Sequence, residues 1–133
     1  MVIVIATVRP ARLLSFAQAL AQETGAAVHF EDRWSRVLAS AKAEPPALVV
    51  LDEGLVEGGP MELARQLAHV NALIGTAAVT PLSPTVFHQE SEGLGILAPV
   101  PVEPSGQDGT DLAKALLRLG LAADDRERCN SGR

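Results

Sequence analysis

The chain has 133 residues, 47% of them hydrophobic and 20% charged, with a formal net charge of −5. That length holds one domain with a real core, and the composition is that of a globular chain rather than a disordered one. No basic cluster, three Phe, one Trp and no Tyr leave little for phosphate binding or base stacking, so direct nucleic-acid binding is not expected.

In chain order, VIVIA (2–6) is a short, β-branched apolar run of the kind a strand needs when both its faces are covered. Arg9-Pro10 follows, with proline suited to a first helical turn. Leu13, Phe16, Ala17 and Leu20 then recur at helical spacing, and Gly25 supplies a stop. AAVHF (26–30) reads as a second strand. RWSRVLASAK (33–42) reads as a helix ending before Pro45-Pro46.

ALVVL (47–51) is the clearest buried strand, closed by Asp52, and MELARQLAHV (61–70) reads as the next helix after the loop EGLVEGG and Pro60. IGTAAV (74–79) predicts a fourth strand, ending at Thr80-Pro81. PTVFHQESEG (84–93) predicts a short helix and GILAPV (95–100) a fifth strand. After the loop PVEPSGQDG, Thr110 or Asp111 is the expected cap of a last helix, 111–121, with Leu112, Ala115, Leu116 and Leu119 on its apolar face. Residues 1–121 form the expected domain, and 122–133 a disordered tail with nothing to bury.

Strands alternating with helices imply a parallel sheet covered on both sides. Five such units fit a flavodoxin-like, doubly wound three-layer α/β/α fold with strand order 2-1-3-4-5. The opening lacks the pattern of a secretory signal, no apolar run reaches membrane-spanning length, and the one cysteine, Cys129, builds no disulfide framework. A cytoplasmic setting is the expectation.

The segment ALVVLDEGLVEGGPMELARQL resembles the centre of response-regulator receiver domains, and the likeness of element order spans roughly residues 2–120. The resemblance puts Asp52 in the phospho-acceptor position, with Glu62-Leu63 at the family's offset in the following helix. Thr80 takes the place of the switch Thr or Ser, and Pro101 that of the proline in the Lys-Pro pair. Pro60 stands where the family prefers glycine, and Val56 where it often has proline.

The departures fall on the chemistry. The family's acidic pair, which holds magnesium together with the acceptor, is Ala6 and Thr7 here, and its lysine falls on Val100 or Pro99. Magnesium takes oxygen ligands, commonly one or two carboxylates plus substrate phosphates, and phosphoryl transfer depends on neutralising charge on the phosphoryl oxygens. The resemblance thus implies a pseudo-receiver: a protein-interaction module of two-component or phosphorelay signalling, with no catalysis, cofactor or bound metal. Two alternatives stay open, an atypical receiver phosphorylated on Asp52 and a flavodoxin-like small-molecule binder using the crevice at the strand ends.

Several residues carry two readings. Asp52 is either a vestigial acceptor or a strand-end carboxylate that accepts loop N–H groups. Arg9, in the loop beside the switch point, either pairs with Asp52 or Glu53 in place of a metal or is a solvated loop arginine. Thr80 is either switch-like or a loop hydroxyl. His29, His69 and His88 have no ligand spacing. In receiver relatives, the face formed by helix four, strand five and helix five docks partners or a second copy. Here the loop before helix five looks enlarged, so that face is expected to be remodelled.

Overall fold

A computed structural model of the chain describes residues 1–52, 60–71, 73–81, 83–90 and 96–131. The loop 53–59, with Glu53 and Val56, lies outside the described residues, as do the side chains of Pro60, His88, Leu119 and Cys129. Five strands, β1 (Val2–Ala6), β2 (Ala27–Glu31), β3 (Leu48–Leu51), β4 (Gly75–Val79) and β5 (Ile96–Val100), form one parallel sheet in the order β2-β1-β3-β4-β5. Between and after them run α1 (Leu14–Thr24), α2 (Trp34–Ala43), α3 (Pro60–Val70), α4 (Pro84–Glu90) and α5 (Gly106–Ser131). This is the flavodoxin-like doubly wound arrangement expected from the alternation of elements.

Helices on both faces explain why β1 and β3 are apolar throughout instead of alternating. Ile3, Ile5, Leu48 and Val50 point into one core, shared with Leu13, Phe16 and Leu20 on one side and Leu112 and Leu116 of α5 on the other. Val4, Ala6, Val49 and Leu51 point into a second core, with Trp34, Val37, Leu63 and Leu67 of α2 and α3. Within the second layer, the Trp34 indole N–H donates to Gln66 Oε1 at 2.6 Å, which satisfies the one polar atom of a buried ring.

Three local features differ from the sequence expectation. The first helix is split: Pro10–Leu13 is a 3-10 turn with Pro10 at its first position, and α1 proper begins at Leu14. It ends at Gly25, whose φ of +70° is the left-handed cap that glycine takes at least cost.

The second difference is the start of α5, which lies at Gly106 rather than 111 and so shortens the preceding loop. Thr110 and Asp111 sit inside the helix, where Thr110 Oγ1 donates to Gly106 O and Asp111 Oδ1 accepts from Gln107 Nε2. The actual cap is a reciprocal box. Ser105 N–H donates to Asp108 Oδ2 at 2.8 Å, and Asp108 N–H donates to Ser105 Oγ at 3.3 Å. Two glycines disguise this turn, and one has a packing reason: a Cβ at Gly109 would stand 2.4 Å from Phe16 O. Its absence lets α5 press against α1.

Third, the backbone of α5 is helical through Ser131, past the expected end at 121. Six of the eleven residues 121–131 are Ala, Leu, Glu or Arg, and no glycine or proline falls between Gly120 and Gly132. No described helix is long and apolar enough to cross a membrane.

Replacing Gly109 with alanine forces α1 and α5 apart, so Gly109→Ala is expected to destabilise the fold by about 1–3 kcal/mol, despite alanine's better helix propensity. Urea unfolding followed by the fluorescence of Trp34 measures it.

Candidate functional site

The carboxyl ends of β1 and β3 lie side by side because Ala6 pairs with Leu51 in register. The next residue on each strand, Thr7 and Asp52, is therefore brought level at the sheet's edge, and Asp52 N–H donates to Ala6 O at 3.0 Å. Asp52 is fully buried and Thr7 nearly so. A buried carboxylate is costly unless cations and donors replace the water it loses.

The chain supplies those donors from one short segment. Thr7 Oγ1 donates to Asp52 Oδ2 at 2.7 Å. The same hydroxyl oxygen accepts from Arg9 N–H at 3.0 Å, which turns the backbone at the entrance of the 3-10 turn. That turn aims the Arg9 side chain back across the strand ends. Its Nε donates to Asp52 Oδ2 at 2.8 Å and its Nη2 to Asp52 Oδ1 at 3.0 Å, a two-pronged pairing that engages both carboxylate oxygens.

Arg9 also binds the loop after β5. Nη2 donates to Val102 O at 2.6 Å, and Nη1 reaches Glu103 Oε1 at 3.3 Å. Glu103 is held in turn by Arg12 Nη1 at 2.8 Å. One guanidinium thus ties together the ends of β1 and β3 and the segment entering α5. The Arg12–Glu103 bridge is exposed on both partners and contributes little by itself.

The sequence-derived candidates sort as follows. Thr7, Arg9 and Asp52 come together. Ala6 is buried with no polar function, and Thr80, also buried, directly follows β4 with its N–H donating to Val100 O at 2.9 Å. Val100 is buried, while Pro99 and Pro101 are exposed. His29 lies exposed on β2 and His69 exposed at the end of α3, well separated along the fold. Val102 O, Glu103 and Arg12 were not foreseen. A backbone carbonyl leaves no trace in sequence, and 91 residues separate Arg12 from Glu103 without any shared pattern.

Among the described residues the donor set does not suit magnesium: at the end of β1 the neighbours of Asp52 are a methyl group and a hydroxyl, both carboxylate oxygens face a guanidinium, and no group of three acidic, His or Cys side chains among those residues could hold a metal.

No family model matches the chain, and none of the curated proteins does. Solved structures match it at low identity. A two-component response regulator of the LuxR family from Aurantimonas sp. SI85-9A1 is 17% identical with a TM-score of 0.71, covering 89% of this chain and 83% of that one. The chemotaxis response regulator CheY4 of Vibrio cholerae is 12% identical with a TM-score of 0.70, covering 86% and 96%. A two-component response regulator from Clostridium difficile is 13% identical with a TM-score of 0.69, covering 88% and 94%.

The chain has the receiver fold. At these identities the likeness concerns architecture, and the residues at the strand ends decide the chemistry. Where the receiver pattern has acids on β1 and a lysine after β5, this receiver fold has an arginine from the β1 loop lying on its aspartate.

Removing the arginine leaves a buried charge without its main partner. Arg9→Met is expected to cost about 2–3 kcal/mol, less than for a fully enclosed pair because the Arg9 side chain is one-quarter exposed. Arg9→Lys, which keeps the charge and loses the two-pronged geometry, falls between it and the wild type. If the pair is coupled as described, the Arg9→Met/Asp52→Leu double variant loses less than the two single losses added together; chemical unfolding of the four proteins tests this.

Proposed function

We propose that this protein is a receiver-like signalling module that acts by binding another protein, without magnesium-dependent phosphorylation. The observation that carries the reading is the occupation of both Asp52 oxygens by the Arg9 guanidinium. An acceptor carboxylate has to present a lone pair to the incoming phosphorus, and the metal beside it has to offset the charge of the phosphoryl oxygens. Here a fixed cation engages both oxygens and draws on the electron pairs that would attack, and the residues for the second role are a methyl and a hydroxyl.

Such a module would keep the receiver surface and give up the switch. Arg9 bridges Asp52 to Val102 and Glu103, so the loop leading into α5 is held in one arrangement without any modification. A protein partner would recognise that single state, in a cytoplasmic setting, by docking on the α4–β5–α5 side that the receiver resemblance suggests.

Incubation with magnesium and a small phosphodonor, followed by intact-mass measurement, tests the reading. The wild-type chain is expected to keep its unmodified mass. A phosphoryl adduct that disappears in Asp52→Asn overturns the proposal and makes the chain an atypical receiver in which Arg9 serves as the charge partner.

A further inference from the structure

The sheet has two edges, and they are treated differently. At the β5 edge, Pro99 removes a ladder donor and the pairing with β4 shifts register between Thr76 and Ala77. A proline and an irregularity are two of the usual devices that keep an exposed strand from recruiting another. The β2 edge has neither. Its sequence AVHFE contains no proline, lysine or arginine, and among the described residues only β1 pairs with it.

Which β2 groups face outward follows from the ladder. Ala27 N–H donates to Met1 O, and Thr7 N–H donates to Glu31 O, so residues 27, 29 and 31 turn their peptide groups toward β1. In a parallel ladder alternate residues bond to opposite sides, which leaves the N–H and C=O of Val28 and Phe30 directed away from the sheet. By the register, Val28 and Phe30 lie level with Ile3 and Ile5, on the α1 side. Phe30 is 36% exposed there, and Leu14 of α1 is 50% exposed. On the α2 side, a groove lined by His29, Glu31, Ser40 and Glu44 runs along the same edge.

We propose that two copies of this chain join their sheets through β2, antiparallel about a twofold axis at His29. The strand is self-complementary about that point. Val28 of one copy falls opposite Phe30 of the other, twice. These are the residues whose peptide groups face outward, so each pair exchanges both ladder hydrogen bonds. The pairing sets an aliphatic side chain against an aromatic one on the α1 face. On the α2 face it sets the two His29 side chains opposite each other, each diagonal to Glu31 of the other copy, and no two acids stand directly opposite. An isologous contact of this kind closes on itself and leaves at the ends of the joined sheet the two proline-bearing β5 edges. The inference does not depend on the reading of Asp52.

Sedimentation velocity of the full chain over a micromolar dilution series tests the proposal, together with residue-resolved amide exchange. The wild type is expected to sediment at twice the chain mass at the upper concentrations, with the Val28 and Phe30 amides protected only there. Phe30→Pro deletes an outward N–H and spares the β1 ladder, as Pro99 does on β5. It is expected to weaken dimerisation at least ~tenfold (about 1.4 kcal/mol) with an unchanged circular-dichroism spectrum. Val28→Lys serves as a second variant should the proline perturb folding. A wild type that stays monomeric throughout overturns the proposal and leaves this edge to an extended segment of another protein. A dimer indifferent to both variants, with the Val28 and Phe30 amides unprotected, overturns it in favour of the α4–β5–α5 face.

Discussion

A carboxylate with no exposure to water at the end of a central strand is a demand that the rest of this fold has to meet. Asp52 sits where β3 leaves the sheet, between two apolar cores, and bulk water does not reach it. Among the described residues the Thr7 hydroxyl and two nitrogens of Arg9 answer that demand. Their supply constrains the neighbouring chain. The β1 loop has to turn immediately after Thr7, Pro10 has to start a tight helical turn, and the segment after β5 has to come close enough to present Val102 O. In the low dielectric at the strand ends, a paired and hydrogen-bonded carboxylate is tolerable, and an unpaired one is not.

The helices obey a second constraint, imposed by the covering of both sheet faces. α1 and α5 share one core, and beside its packed side chains Gly109 lets the two backbones approach closely, at Phe16 O. The 3-10 turn that delivers Arg9 leads directly into α1, and the capping box that begins α5 follows the loop carrying Val102 and Glu103. Close packing of these two helices therefore fixes, at one remove, both chain segments that meet at the arginine.

Much of this was legible in the sequence. The apolar runs VIVIA and LVVL read as strands covered on both sides, and their alternation with 3.6-residue patterns pointed to a parallel sheet. Arg9 and Asp52 could be placed near one another because each follows a strand at the switch point. The sequence did not show the start of α5, since Gly106 and Gly109 suppress helix propensity and a reciprocal Ser105–Asp108 cap looks like loop chemistry until the helix behind it is known. Nor did it show the partners of Arg9 across the sheet. Glu103 is an ordinary surface acid until folding brings it within reach of two arginines.

The span of the Arg9 clasp also bears on time. Its bonds join residues 43 apart in the case of Asp52 and 93 apart in the case of Val102. Contacts so distant in sequence gather once β1, β3 and β5 are aligned, when strand pairing has already met most of the loop-closure entropy. Interactions that complete late leave the folding rate nearly untouched and slow the reverse passage. The guanidinium therefore acts as a bolt shot home after the door has closed: it lengthens the life of the native state more than it hastens its arrival.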